Sequence, residues 1–253
     1  MTVVVTRPAD QASHWVARLA ARGIDAVALP LIEIGPAPDP VAVRAAWAAL
    51  PDAALVVFVS PNAVQQFFAQ RGSAQGWPAG VRAGSTGAGT SRALHAAGVP
   101  SAQLVEPPAD APQFDSEALW GLLCSEAWSG RRVIVVRGDG GREWLADTLR
   151  ANGAQVQLVS AYRRSASRFD ASQQALLQAA LIAPRAHLWF FSSSEAIDHL
   201  AALVGPGADW SEARAIATHP RIAARAQQLG LAEVVETGPA LAAVRACIQS
   251  MPP

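Results

Sequence analysis

Six short polar clusters occur along this chain, and each follows an apolar segment and precedes a stretch of helical pattern. They combine Ser, Thr, Asn or Asp with Gly or Pro, and several carry an arginine: Thr6-Arg7-Pro8, Ser60-Pro61-Asn62, Ser85-Thr86-Gly87, Arg137-Gly138-Asp139, Ser192-Ser193-Ser194 and Thr218-His219-Pro220. Backbone N–H groups at helix starts and arginine side chains both bind carboxylates and phosphates. Together the clusters predict a site for a small polyanion, although each one alone is also typical of an ordinary helix N-cap.

Four arginines in or beside these turns are the candidate ligands for the anion: Arg7, Arg137, Arg142 and Arg221. Their planar guanidinium groups match carboxylates in a bidentate geometry. For Arg142, a surface ion pair with Asp139 or Glu143 is an equally good interpretation.

Tyr162 is the single tyrosine of the chain and ends the segment VQLVSAY. A phenol is protonated at neutral pH and can donate its proton to a leaving oxygen. A half-buried tyrosine at an interface is the alternative, and composition alone leaves both open.

The charge composition excludes several classes of protein. All 20 basic residues are arginine, and they balance 20 acidic residues, so the net charge is zero. The absence of lysine excludes Schiff-base enzymes, covalently held pyridoxal phosphate and the lysine of a nucleotide P-loop. Zero net charge argues against nucleic-acid and membrane-surface partners.

The signatures of common cofactor sites are missing. The sequence has no HExxH, no G-x-S-x-G and no G-x-G-x-x-G that opens a first helix. Glu195 and His199 are spaced to share a helix face but favour a solvated pair over a metal site. Cys124 and Cys247 are far apart and are interpreted as buried thiols. We expect no cofactor and no metal.

Ten short apolar or β-branched segments alternate with helical stretches, the pattern of parallel βα units. Two long connectors, residues 35–52 and 163–187, are interpreted as linkers or hinges. The pattern predicts an α/β protein with two sheets. The strand candidates are residues 3–7, 26–34, 55–60, 81–85, 103–106, 133–137, 156–162, 188–192, 214–218 and 233–237.

The order of these segments repeats once. Gly23 and Gly153 lie 130 residues apart, and Gly98 and Gly230 lie 132 apart, each after a helical stretch. We interpret the chain as two copies of one unit that start at residues 1 and 131.

At this point the sequence resembles the uroporphyrinogen-III synthase family. The most specific segment is VIVVRGDGGREWLADTLRANGAQVQLVSAYRR at 133–164, and shorter matches run in order along nearly the whole chain. These are TRP at 6–8, LPLIEI at 29–34, FVSPNAV at 58–64, GAGTSRAL at 87–94, FDSEAL at 114–119, FFSSSEAI at 190–197 and HPRIAARAQQLG at 219–230.

The resemblance implies two flavodoxin-like, parallel-sheet domains joined by a two-stranded linker, with the chain crossing twice. One domain would be residues 1–34 plus 166–253 and the other residues 35–165, with linkers near 33–37 and 163–167. The repeat fits if the first β-α-β of each copy joins the later strands of the other copy.

The resemblance also implies a reaction without cofactor. The family closes the linear tetrapyrrole hydroxymethylbilane into uroporphyrinogen III, with inversion of the last pyrrole ring and loss of water, in heme biosynthesis. Tyr162 matches the proposed proton donor. The implied substrate-binding residues are Arg7, Ser60, Asn62, Thr86, Thr90, Arg137, Arg142, Ser192, Ser193, His219 and Arg221.

Further expectations concern partners and alternatives. We expect a cytoplasmic monomer that binds a small polycarboxylate, with no nucleic-acid or membrane partner and a transient handover from hydroxymethylbilane synthase. The alternative is a bilobed anion sensor that binds without turnover. A sugar-phosphate enzyme would need a carboxylate pair or metal that the sequence does not offer.

Overall fold

The computed structural model describes residues 1–72, 76–108, 111 and 113–251. Within these residues the strands are β1 Thr2–Val5, β2 Ala26–Ala28, β3 Ile32–Gly35, β4 Leu55–Phe58, β5 Arg82–Ser85, β6 Leu104–Val105, β7 Arg132–Gly138, β8 Gln155–Ala166, β9 His187–Phe191, β10 Arg214–Ala217 and β11 Glu233–Glu236. The helices are α1 Ala9–Ala20, α2 Pro40–Ala48, α3 Pro61–Phe68, α4 Ala88–Ala96, α5 Ser116–Leu123, α6 Trp144–Ala151, α7 Ala171–Ile182, α8 Ser194–Val204, α9 Pro220–Leu229 and α10 Leu241–Ser250. No helix among the described residues combines the length and the apolarity of a membrane span.

The chain forms two compact units, which we call unit 1 (Met1–Glu33 with Ser165–Pro253) and unit 2 (Ile34–Arg164). Unit 1 holds a five-stranded sheet of order β11-β10-β9-β1-β2, in which every neighbouring pair is parallel. Its core on one sheet face joins α1 and α10 to alternate strand residues, among them Val3, Val5 and Phe190. This alternation places successive side chains on opposite faces, as a strand requires.

The sheet of unit 2 runs β8-β7-β4-β5-β6, again with parallel neighbours, and β3 lies beside β8 at its edge. Both of its faces are covered. Helices α2 and α3 bury one face with Phe58 and Phe67, and α5 and α6 bury the other with Leu119 and Leu149. Strands covered on both faces explain the continuous apolar runs of the sequence.

The α/β prediction with parallel sheets is confirmed, and the elements repeat in the predicted order. β1-α1-β2 corresponds to β7-α6-β8, and β4-α3-β5-α4-β6 corresponds to β9-α8-β10-α9-β11. The paired glycines have the same task in each copy. Gly23 and Gly153 have φ of 72° and 89°, and Gly98 and Gly230 have φ of 92° and 105°, the left-handed backbone that glycine adopts without strain just after a helix.

Two details of the prediction were wrong. The strand predicted at 26–34 is two strands, because Pro30 between them has no N–H to donate to a neighbour. Most of the two connectors is ordered, since α2 and α7 lie within them. Their starts are visible in the sequence: the side chain of Asp39 caps α2 before Pro40, and Asp170 with Gln173 forms a capping box on α7.

The cysteines also differ from the prediction. Cys124 ends α5 on its outer side and is exposed. Cys247 is half-buried against the core of unit 1, and this burial raises the pKa of its thiol.

An ion cluster at the amino-terminal edge of the unit 2 sheet makes stability pH-dependent. Arg82 donates two hydrogen bonds to Glu126, at 2.8 and 2.6 Å, and Arg131 lies 3.3 Å from the same carboxylate. The Arg82 hydrogen bonds are the main reason that the pKa of Glu126 lies below its ordinary value of 4.5. Because the folded-state pKa is the lower one, this stabilisation is complete above pH 4.5 and is lost as the pH falls through the folded pKa.

We therefore expect Glu126→Gln to lower the free energy of unfolding at neutral pH by about 1–2 kcal/mol, with the difference from wild type shrinking below pH 4. Urea denaturation between pH 3 and 7 measures this. The control is Glu212→Gln, which removes the more exposed pair with Arg185 and should leave the midpoint unchanged. An equal loss at every pH would contradict the assignment.

Candidate active site

The polar turns of unit 2 lie next to one another because its strands are parallel and in register. Phe58 pairs with Val136 on one side and with Ser85 on the other. The turns that follow β4, β5 and β7 therefore leave the sheet at the same edge, which is where open parallel sheets bind ligands. We call this the unit 2 edge.

Tyr162 and Ser60 are joined at this edge. The Tyr162 hydroxyl lies 3.1 Å from Ser60 Oγ, although 102 residues separate them in the chain. Ser60 Oγ also caps α3 by accepting the N–H of Ala63 at 3.1 Å. Tyr162 is only 3% exposed, so its ring is held by the core while its hydroxyl meets the polar turn.

Arg137 is placed differently from the expectation of a free anion ligand. Its guanidinium is buried and donates to Glu143 Oε1 and to the carbonyl of Gly141, both at 2.7 Å. These bonds fold the 138–143 turn back onto β7. A substrate carboxylate would have to displace Glu143, so the prediction that Arg137 binds substrate rests on that exchange.

Arg142 forms an ion pair, but with neither of the partners that the sequence suggested. Its Nη2 donates to Glu117 Oε1 on α5, and its guanidinium lies 5.5 Å from the centre of the Trp144 ring. Asp139 pairs with Arg163 instead. The sequence could not indicate Glu117, because the contact joins the 138–143 turn to a helix 25 residues away in the chain.

The turn after β5 is held by the hydroxyls of Ser85, which belongs to a predicted cluster, and of Ser91, which the sequence did not indicate. Ser85 Oγ accepts the N–H of Gly87 and donates to its carbonyl, and Ser91 Oγ donates to Ser85 Oγ at 2.9 Å. Thr86 Oγ1 donates to the carbonyl of Val59 at 3.2 Å. Thr90 is buried within α4. These bonds fix the turn, and Gly87 leaves the start of α4 without a side-chain cap.

The corresponding edge of unit 1 carries Arg7, whose guanidinium has no carboxylate partner among the described residues. It lies 5.0 Å from the centre of the Trp15 ring and 5.5 Å from that of Phe190. Its Nη1 reaches only Gln11 Oε1, at 3.4 Å, and its buried Nε has no hydrogen-bond partner. Burial lowers the pKa of Arg7 to about 10, so the group is still charged at neutral pH.

A desolvated cation without a carboxylate partner is costly, which makes the half-buried Arg7 the strongest anion-binding candidate among the described residues. The helix beside it strengthens this assignment. Helix α1 begins after Pro8 with no side-chain cap, so its first N–H groups add to the positive potential. The exposed Asp10 in the same turn is the only acidic residue there.

The other unit 1 candidates lie at the ends of β9 and β10, in register with β1. Ser193 stands at the N-cap of α8, but its side chain makes no capping bond, and Ser192 precedes it. His219 caps α9 by accepting the N–H of Arg221 at its Nδ1, 3.1 Å away. With Nδ1 accepting, the ring proton is on Nε2.

His199 of the Glu195–His199 spacing contacts a backbone carbonyl. His199 Nδ1 lies 2.9 Å from the carbonyl of Leu31, so this ring ties α8 to the segment after β2. Within the described part of the chain, no three His, Cys, Asp or Glu side chains are grouped to hold a metal ion. Asn62, in the first turn of α3, completes the set of expected residues at the unit 2 edge.

Comparisons with known proteins agree with this architecture. The chain is 34% identical over 179 residues to the uroporphyrinogen-III synthase of Escherichia coli and 33% identical over 177 residues to that of Salmonella typhimurium, each alignment covering 70% of both chains. The uroporphyrinogen-III synthetase structure of Helicobacter pylori shares the fold, with a TM-score of 0.62 at 17% identity over 98% of both chains. A mutant synthase of Thermus thermophilus gives a TM-score of 0.60 at 17% identity, covering 98% of this chain and 96% of that one.

A family model also matches most of the chain. Residues 13–244 fit the model described as uroporphyrinogen-III synthase HemD. This range takes in all of unit 2 and most of unit 1, including Tyr162, Ser60 and the Ser192-Ser193-Ser194 cluster. The chain therefore belongs to the uroporphyrinogen-III synthase family.

Proposed function

We propose that this chain converts hydroxymethylbilane to uroporphyrinogen III, with Tyr162 as the proton donor. The observation that carries the proposal is the Tyr162–Ser60 contact of 3.1 Å at the carboxyl edge of a parallel sheet. It presents a phenol hydroxyl, held by a buried ring, at the edge where such folds bind ligands. Family membership supplies the reaction.

The reaction needs one proton donor, and that donor must be protonated again before the next turnover. Tyr162 gives its proton to the terminal hydroxyl, which leaves as water while the pyrrole nitrogen assists. The terminal pyrrole carbon loses a proton when the ring closes, and this restores the phenol. Such acid catalysis accounts for about 10²–10⁴-fold.

Most of the selectivity comes from positioning. Spontaneous closure gives the isomer with an unflipped last ring, so the enzyme must hold the chain so that the other carbon of that ring attacks first through a spiro intermediate. The substrate carries eight carboxylates, and Arg7 with the uncapped starts of α1, α4 and α8 offers groups that attract them.

The proposal includes the finer architecture that the family implies: flavodoxin-like domains of residues 1–34 with 166–253 and of residues 35–165, linked near 33–37 and 163–167. The strand order of unit 1 supports it, since it is the 2-1-3-4-5 order of that fold. Unit 2 supports it too, since its order is the same when β7 and β8 take the first two places. We also propose a cytoplasmic monomer that receives its substrate from the preceding synthase.

The test is to supply freshly made hydroxymethylbilane and separate the isomers of the cyclised product. The proposal requires uroporphyrinogen III at a rate well above spontaneous closure. Formation of only the unflipped isomer, at the spontaneous rate, would reject it. Tight binding without turnover would instead favour an anion sensor.

A smaller effect is expected at Arg221, which is exposed at the start of α9. If it binds a substrate carboxylate, Arg221→Ala raises KM about threefold at low salt, and the effect disappears at high salt because exposed charges are screened. Steady-state kinetics at two ionic strengths measure this. Unchanged affinity at low salt would remove Arg221 from the site.

A further inference from the structure

We infer that Gly138 is a positioning residue for Tyr162, because its missing side chain leaves the slot in which the phenol ring lies. The inference rests on the proposed function, since it concerns the aim of the proton donor. It means that the first glycine of the RGDGGR turn aims the proton donor and is more than a flexible loop residue.

The slot is formed by a local irregularity in the sheet. Along β7 and β8 the pairing advances one residue at a time up to Arg137 opposite Ser160, and then Gly138 lies opposite Tyr162. The shifted register is locked by a hydrogen bond of 3.0 Å from the N–H of Asp139 to the carbonyl of Tyr162. Such a bulge turns a side chain away from the direction that a regular strand would give it.

Space is the reason for glycine at this position. A Cβ added to Gly138 would lie 3.0 Å from Tyr162 Cζ, 3.1 Å from Cε2 and 3.3 Å from the hydroxyl oxygen. The φ of Gly138 is not in the left-handed region, so the backbone itself would accept alanine. The ring cannot retreat freely, because Tyr162 belongs to the packed core of unit 2.

The carboxylate of Asp139 holds the opposite strand in place. Its Oδ1 accepts the N–H of Arg164 at 3.3 Å, and its Oδ2 accepts Arg163 Nε at 3.2 Å. The backbone of Tyr162 and of the residues just after it is therefore tied to the 138–139 turn. A displaced ring would have to tilt within this frame, which moves the hydroxyl away from Ser60.

The Ser60 contact defines what the slot achieves. Ser60 Oγ already accepts the Ala63 N–H, so its own proton is available for the Tyr162 oxygen 3.1 Å away. In that arrangement the phenol proton points to a third group, the leaving hydroxyl, and Ser60 stabilises the phenolate that remains. A shift of about 1 Å is enough to cost about 100-fold in such a geometry.

The test compares Gly138→Ala with Gly140→Ala, two residues further along the same turn, where an added Cβ meets nothing within 4 Å. We expect Gly138→Ala to lower kcat about 10- to 100-fold with KM changed less than about twofold, and Gly140→Ala to keep both values. A higher KM with unchanged kcat, or equal effects of the two variants, would overturn the inference.

The single tyrosine provides a second measurement that is independent of turnover. Protein labelled with tyrosine ¹³C at Cζ gives one signal, and Gly138→Ala is expected to shift it while Gly140→Ala leaves it in place. Adding Gly138→Ala to Tyr162→Phe should cost little further kcat, because the hydroxyl that it misplaces is gone. An unshifted signal, or a full additional loss in the double variant, would contradict the slot.

A variant that does not fold is also informative. If Gly138→Ala is unfolded, Tyr162→Leu combined with it should be as stable as Tyr162→Leu alone, because leucine has no atoms where the outer ring lies. A double variant that stays unfolded while Tyr162→Leu folds would refute steric contact with the ring. Failure of the proposed function would be seen separately, in wild-type protein that makes no uroporphyrinogen III.

Discussion

Replacing Tyr162 with Phe lowers kcat for uroporphyrinogen III formation by about 10²–10³-fold. The phenol hydroxyl is the group at the unit 2 edge that a buried ring and Ser60 hold in a fixed direction. Phenylalanine keeps the ring in its slot beside Gly138, so the loss reports the proton donor and not the packing. As the enzymatic rate falls toward the spontaneous one, the fraction of unflipped isomer rises.

Single-turnover kinetics with separation of the two isomers measure this effect. Ser60→Thr is the matched control, because it keeps a hydroxyl at the α3 cap, and it should retain most of the activity. Asp115→Ala removes the comparable cap of α5, which accepts the Ala118 N–H at 2.9 Å, and should cost stability without a selective loss of kcat. A loss of less than about threefold in Tyr162→Phe would place the tyrosine among the structural residues.

Replacing Arg7 with Met has opposite effects on binding and on stability. The guanidinium is charged, buried at Nε and without a carboxylate partner in the described residues, so removing it relieves a desolvated charge. We expect a denaturation midpoint equal to or above that of wild type. Substrate affinity should fall about 10- to 100-fold, the effect of a hydrogen bond between charged groups of about 1.5–3 kcal/mol.

Lower substrate affinity combined with unchanged or higher stability identifies a binding residue. A structural arginine would lose stability when it is removed, and a surface arginine would change neither quantity by much. Arg22→Met is the control, because it makes the same change of charge just after α1, where the Arg22 side chain donates to the carbonyl of Arg18 and to no other group among the described residues. Much of the loss of affinity should persist at high salt, since Arg7 is half-buried and partly buried charges are screened less than exposed ones. Unaltered affinity together with lower stability would reject Arg7 as an anion ligand.

Much of the fold could be predicted from the sequence because its signals are local. Continuous apolar runs marked the strands. The glycines at 23, 98, 153 and 230 marked the ends of helices, where the structure has a left-handed backbone. Those signals survive in any context, so both the parallel sheets and the internal repeat were predicted. The helices α2 and α7 in the two connectors were not predicted, because the connectors were interpreted from their composition and not from the N-caps at Asp39 and Asp170.

The candidate site was harder to predict because its contacts are distant in the chain. Arg142 was expected to meet a neighbour within a few residues, but its partner Glu117 lies on α5. Arg137 looked like a ligand, whereas the turn that follows it folds back and occupies its guanidinium. Both contacts depend on the path of the 138–143 turn, which the residue types alone do not determine.

The sequence by itself determined the class of fold, the duplication and the residue types at the sheet edges, because strand patterns, glycine torsions and N-caps act over a few residues. Only the tertiary structure decided which of those polar groups meet. Ser60 reaches Tyr162 because parallel pairing brings the end of β4 and the last residue of β8 that pairs with β7 to one edge. Gly138 matters because the shifted register turns the phenol over it. The same packing left Arg7 without a counter-ion among the described residues, since the desolvation of a side chain depends on all that surrounds it.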